Sequence, residues 1–144
     1  MSSGNRRSGR AYALQLLYAR DGDASGNVAN DAASWASEFE LEVDPQAQQF
    51  ARDLVAAAVE RSAEIDQLII SASKNWRLDR MSRVDRNILR LGTCELTAFK
   101  DVPLKVVINE AVELAKRFGT AESSAFVNGV LDRIATAVGR GPED

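Results

Sequence analysis

The chemistry open to this chain of 144 residues is limited by two counts: it contains no histidine, and its single thiol is Cys94. Without histidine, the usual proton shuttle for a serine or cysteine nucleophile is missing, and so are His-containing zinc sites. One thiol can close neither an internal disulfide nor a Cys-only cluster, so Cys94 reads as a small core residue in a reducing compartment. Carboxylates one helical turn apart, such as Glu110 and Glu113, could divide acid and base roles, but the same spacing is common on solvated helix faces. There is no GxxxxGKS/T phosphate loop, no GxGxxG after a strand and no Cys-x-x-Cys. No catalytic residue, metal ligand or cofactor is therefore expected, and the remaining class of function is binding.

Charge is segregated along the chain in a way the net value of -3 conceals. Residues 1–20 carry four arginines and no acid, residues 21–73 carry eleven acids against Arg52 and Arg61, and residues 74–100 carry seven bases against three acids. A fold that joined the two basic segments would offer a positive face to a polyanion despite a pI of about 5.1. Solvated helix faces are the alternative, and charge alone does not decide between them. Phe118 and Phe126 stand beside Lys116 and Arg117 around a short Gly119-Thr120 turn. Rings next to cations suit single-stranded RNA, because unstacked bases lie on the rings while Arg and Lys meet phosphates. Ordinary core packing is the alternative for each ring, and Tyr18 is either a core residue with a polar tip or a partner-facing ring.

The elements that must hold these residues are helical. Apolar residues recur at spacings of three and four almost throughout, and strand-like alternation is absent, which predicts an all-α domain. The first helix spans about Arg6 to Arg20, and a weaker one from Val28 to Leu41 carries Trp35 and Phe39. Asp44 caps a third helix with Pro45 in its first turn, and that helix presents Phe50, Leu54, Ala57 and Ala58 before a bend or stop near Arg61-Ser62. A short fourth helix ends near Lys74, and a connection through Met81 is packed down by Trp76 and Leu78. Ser82 caps the fifth helix, with Asp85 forming an approximate capping box. A sixth runs from Leu104 to Phe118, and Thr120 opens a seventh that reaches about Val138. These about seven helices fall into an N-terminal half of about 1–74, a C-terminal half of about 75–138 and a frayed tail at 139–144.

On the fifth helix, Val84, Ile88, Leu91 and Phe99 share one face, while Arg83, Arg86 and Arg90 form a stripe suited to a phosphate or protein contact. Glu95 falls on the apolar side, so it should be paired or hydrogen-bonded. On the sixth, Val107, Ile108, Ala111, Leu114, Ala115 and Phe118 oppose Asn109, Glu110, Glu113, Lys116 and Arg117. No run is apolar enough to span a membrane, and Gln15 with Arg20-Asp21 argues against reading the N-terminus as a signal peptide. A cytoplasmic protein is expected.

The segment DVPLKVVINEAVELAKRFG at 101–119, followed by FVNGVLD at 126–132, resembles the C-terminal half of the NusB family of transcription antitermination factors. RRSGR at 6–10 continuing into ALQLLY at 13–18 resembles that family's arginine-rich first helix, and VDRNILRLGTCEL at 84–96 resembles its fifth. Only residues 22–44 are nondescript. The resemblance implies an all-helical fold of two packed helical subdomains. It also implies binding of boxA-type single-stranded RNA together with NusE, a ribosomal small-subunit protein, within an RNA polymerase elongation complex containing other Nus factors. Carried over by position, it suggests Arg6, Arg7, Arg10, Lys116, Phe118, Glu122 and Phe126 at or near RNA. It suggests Tyr18 and Asp85 on the NusE-facing surface, to which the stripe adds Arg86 and Arg90. Ala121-Glu122-Ser123 with Ser124-Ala125 departs from the family's acidic pair and basic residue before its Phe-Val-Asn-Gly motif, so one RNA-facing charge is absent there. Two rivals are an RNA-binding N-terminal domain of an rRNA cytosine methyltransferase, for which 144 residues leave no room for a catalytic domain, and a helical protein-interaction adaptor without RNA binding. A homodimer that buries the arginine patch would be autoinhibitory and is left open.

Overall fold

In a computed structural model the described residues are 3–21, 44–74 and 77–141, and all their regular elements are helical. Six α-helices are seen: α1 (Ser3–Asp21), α2 (Pro45–Glu60), α3 (Ser62–Ala72), α4 (Arg83–Ala98), α5 (Leu104–Phe118) and α6 (Ser123–Ala137). A 3-10 turn at Leu78–Arg80 precedes α4. The predicted helix from Val28 to Leu41, with Trp35 and Phe39, lies outside the described residues, as does Trp76.

The caps form where the side-chain chemistry places them. The Ala47 amide donates to Asp44 Oδ1 at 2.8 Å, and the Asp85 amide donates to Ser82 Oγ at 3.0 Å, satisfying donors that the first helical turn leaves open. The expected break near Arg61 is a single non-helical residue: the Arg61 amide still bonds Ala57 and its carbonyl accepts from Ile65. The last helix opens at Ser123 rather than Thr120, because Ser123 Oγ turns back to accept the Thr120 amide at 2.9 Å and holds residues 120–122 as a turn.

The chain forms two compact units, Met1–Ala56 and Ala57–Asp144, so the division falls within α2 and not near residue 74. The reason is packing: α3 lies against α4 and α6 and belongs with the C-terminal helices. In the first unit Ala13, Leu14, Ala51 and Leu54 are fully buried. Gly9 abuts α2 so closely that a Cβ there would stand 2.8 Å from the Ala47 carbonyl oxygen. In the second unit α4, α5 and α6 pack pairwise. Helix α4 is its centre, with every residue from Asn87 to Leu96 buried except Arg90. That differs from the single apolar face predicted, on which Val84 and Phe99 prove only half-buried; a helix covered by three neighbours has little solvent side left.

Two charged positions also differ from expectation. Glu110, read as solvent-facing, is only 7% exposed. The tail is not frayed as far as it is described: the Arg140 amide donates to Ala135 at 2.8 Å, and its guanidinium donates to the Val102 carbonyl at 2.8 Å. Arg140 is thereby only 8% exposed and ties the end of the chain to the connection before α5.

Candidate nucleic-acid interface

Arg6 and Arg10 lie one turn apart on α1, which puts both on the same stripe of the helix. Their guanidinium carbons stand 4.9 and 5.3 Å from the Phe50 ring centroid. The close approach permitted by Gly9 brings that ring within reach, and a weakly hydrated, planar guanidinium tolerates such a site better than an ammonium would. The outcome separates the three candidate arginines. Arg7 is exposed, Arg6 is half-buried, and Arg10 is 3% exposed. Arg10 is therefore a packing residue in this conformation, with no surface to offer a phosphate.

The second cluster forms at the junction of α5 and α6. Lys116 and Arg117 occupy the last turn of α5, where the helix carbonyl end favours cations. Both are exposed, Lys116 with its Nζ 3.6 Å from Glu113 Oε1 and Arg117 with its guanidinium 4.9 Å from the Phe118 centroid. The chain turns tightly at Gly119, where a Cβ would press on Ser123 Oγ and stand 2.8 Å from the Ala115 carbonyl oxygen. Thr120 Oγ1 then donates to Glu122 Oε2 at 3.2 Å, holding an exposed carboxylate over the turn. Phe118 and Phe126, on either side of the turn, are each half-buried, so both rings retain open surface. The α6 core is carried by Val127, Val130, Leu131 and Ile134. Lys116, Phe118, Glu122 and Phe126 are thus gathered at one helix junction, joined by Arg117, which the sequence places beside the rings but not among the residues carried over from the family. The adjacent Arg117-Phe118 pair was the available signal.

The expected partner-facing residues are less alike. Arg90 grips Asp66 of α3 with two hydrogen bonds of 3.0 and 3.2 Å and also donates to Asn87 Oδ1 at 3.1 Å. Arg86 reaches toward the Leu78 and Met81 carbonyls at 3.5 and 3.4 Å. These two arginines tie α3 and the 3-10 turn to α4, so the stripe is largely engaged within its own unit. Asp85 is half-buried, and its Oδ1 is shielded from solvent with no hydrogen-bond partner among the described residues. Tyr18 is half-buried on α1.

Cys94 is fully buried, and desolvation pushes its thiol up to about 12, reinforced by the Glu95 charge and opposed by Arg61. It is a core residue. Among the described residues no group of His, Cys, Asp or Glu could hold a metal ion, and no helix is long and apolar enough to cross a membrane. A surface cleft of about 360 Å³ is lined by Leu104, Lys105, Ile108, Asn109 and Asp132. It has no aromatic ring and balances its one cation with a carboxylate, unlike the α5–α6 junction.

Comparison with known proteins gives a consistent result. The model of the NusB family matches residues 7–136. The transcription antitermination protein NusB of Myxococcus xanthus is 54% identical over 138 residues, spanning 95% of this chain and 99% of that one. The protein of the same name from Sorangium cellulosum is 48% identical over 141 residues, spanning 98% and 99%. Among solved structures, T. maritima NusB superposes with a TM-score of 0.74 at 39% identity over 94% of this chain and 93% of that one. A chain from the crystal structure of antitermination factors NusB and NusE in complex with dsRNA gives 0.78 at 31% identity, over 94% and 99%. Likeness of sequence and of fold runs nearly from end to end, and the chain belongs to the NusB family.

Proposed function

We propose that this protein is a transcription antitermination factor that binds boxA-type single-stranded RNA together with NusE and joins the RNA polymerase elongation complex, with other Nus factors, during rRNA transcription. It acts by binding in the cytoplasm and catalyses no reaction. The observation that carries this reading is the α5–α6 junction, where exposed Lys116 and Arg117 adjoin two half-open phenylalanine rings. The rings offer aromatic surface to unstacked bases, directly or through the guanidinium that rests on Phe118, and each cation releases counterions from a phosphate it neutralises. Arg7 and the half-buried Arg6 add two further cations, and Glu122 borders the junction as an acceptor for base amino groups. Family membership supports a role in antitermination with NusE and RNA, since the relatives above are named antitermination proteins and one solved relative is in complex with NusE and dsRNA.

Tyr18 and Asp85 are each assigned to contact NusE, while Arg86 and Arg90 tie α4 to the 3-10 turn and to α3. The test is fluorescence anisotropy of a boxA-like single strand, a scrambled strand and a duplex, with and without NusE, at several salt concentrations. Three or four phosphate contacts should give a log-log salt slope of roughly -2 to -3. Preference for the boxA-like strand that sharpens with NusE is expected. Equal weak binding to every RNA, indifferent to NusE, would leave a helical adaptor as the better account.

A further inference from the structure

We propose that Arg117, laid over Phe118, is itself an RNA-contacting residue: its guanidinium, backed by the ring, presents its own flat outer face for one base to stack on and neutralises an adjoining phosphate. The proposal deepens the RNA-binding reading and rests on it. Arg117 is exposed, and its guanidinium carbon lies 4.9 Å from the ring centroid, within the range of a cation-π contact. A guanidinium is flat, weakly hydrated and able to stack on an aromatic ring and on a base, so one held over Phe118 can be sandwiched between the ring and a nucleobase.

Placement is also settled before RNA arrives. A long side chain already resting on a ring loses less rotamer freedom on binding than one waving in solvent. The tight turn at Gly119, held by the Thr120 amide on Ser123 Oγ, keeps this pair at the very end of α5, where the helix carbonyls favour a cation. Lys116 is different in kind. Its ammonium is a compact point charge, 60% exposed and 3.6 Å from Glu113 Oε1, with no flat face to give a base.

The experiment measures a boxA-like single-stranded RNA by anisotropy across a salt series for the parent protein, Arg117→Gln and Arg117→Lys, with each variant's melting temperature taken in parallel. Glutamine removes the charge, whereas lysine keeps the charge and loses the plane. Arg117→Gln should lose affinity by about tenfold and show a slope shallower by about 0.7, with a melting temperature lower by no more than about 5 °C. Arg117→Lys should keep the parental slope yet lose affinity by about three- to fivefold. If the parent binds and both variants match it in affinity and slope, the role of Arg117 is overturned while the RNA-binding reading stands. If Arg117→Lys equals the parent and only Arg117→Gln falls, the stacking half is overturned. A parent that binds no RNA would remove the underlying reading and this proposal with it.

Discussion

Replacing Arg10 and Arg7 one at a time should produce opposite phenotypes, although both belong to the same basic run. Arg10 is 3% exposed with its guanidinium 5.3 Å from the Phe50 centroid, so truncation to alanine removes a desolvated cation-π contact and the packing of its aliphatic stem. The contact is worth about 1–2 kcal/mol when shielded from water, and the buried stem adds about 1 kcal/mol. For a chain of this size the melting temperature should fall by about 5–10 °C. Because Arg10 has no surface to offer a phosphate, the salt slope of RNA binding should not change, provided both proteins are measured well below the variant's melting temperature. Arg7 is exposed. Its replacement should move stability by no more than about 0.5 kcal/mol and make the slope shallower by about 0.7. Thermal melts by circular dichroism and anisotropy at four or more salt concentrations read both quantities. A shallower slope for Arg10→Ala at an unchanged melting temperature would refute the assignment, because it would mean that the guanidinium leaves Phe50 to meet RNA at no structural cost.

Asp85→Lys should weaken NusE binding by about tenfold or more through charge reversal while leaving the melt near parental, since Asp85 Oδ1 has no hydrogen-bond partner among the described residues; a normal NusE titration would exclude this partner face. Arg140→Ala should cost about 1–3 kcal/mol by leaving the buried Val102 carbonyl without its donor, and a denaturation midpoint equal to the parent's would mean that the latch is idle. The Cys94 thiol, held at about 12 against an ordinary 9.0, makes stability fall as pH rises from about 9 toward 12, because only the unfolded chain gives up its proton there. Below pH 9 that contribution is complete. Urea midpoints at pH 8 and pH 10.5 should separate more for the parent than for Cys94→Ala, and equal separations would show that the thiol plays no part. Gly9→Ala should destabilise the first unit by driving a methyl to 2.8 Å from the Ala47 carbonyl oxygen, and an unchanged melt would show that α1 and α2 can part without cost.

Much of this molecule is local, and what is local could be read from the residues in order. Asp44 before Pro45 and Ser82 before Arg83 start helices because a short oxygen-bearing side chain satisfies the amides that the first turn leaves open. The span from Leu104 to Phe118 is bounded by a proline and a glycine that end helices for steric reasons, and its apolar stripe is buried as its spacing requires as far as Ala115, with Phe118 half-buried. The conjunction of Lys116, Phe118 and Phe126 was visible for the same reason: a helix end and a short turn hold those residues close without help from distant chain.

What periodicity could not supply was the identity of whatever faces each stripe. It aligned Arg83, Arg86 and Arg90 but could not reveal that Asp66, 24 residues before Arg90, would claim that guanidinium. It grouped Arg6, Arg7 and Arg10 within one arc, and only the approach of α2, with Phe50 on it, sorted a buried arginine from an exposed one. It gave α4 one apolar face where three neighbouring helices cover it nearly all round, and it left Arg140 in a loose tail although a carbonyl 38 residues earlier anchors it. The sequence by itself determined helix type, the capped helix starts and the chemical character of each face, because those depend on backbone geometry and neighbours within a turn or two. The tertiary structure decided which charges remain available to a ligand, because burial and pairing depend on residues that meet only after the helices have packed.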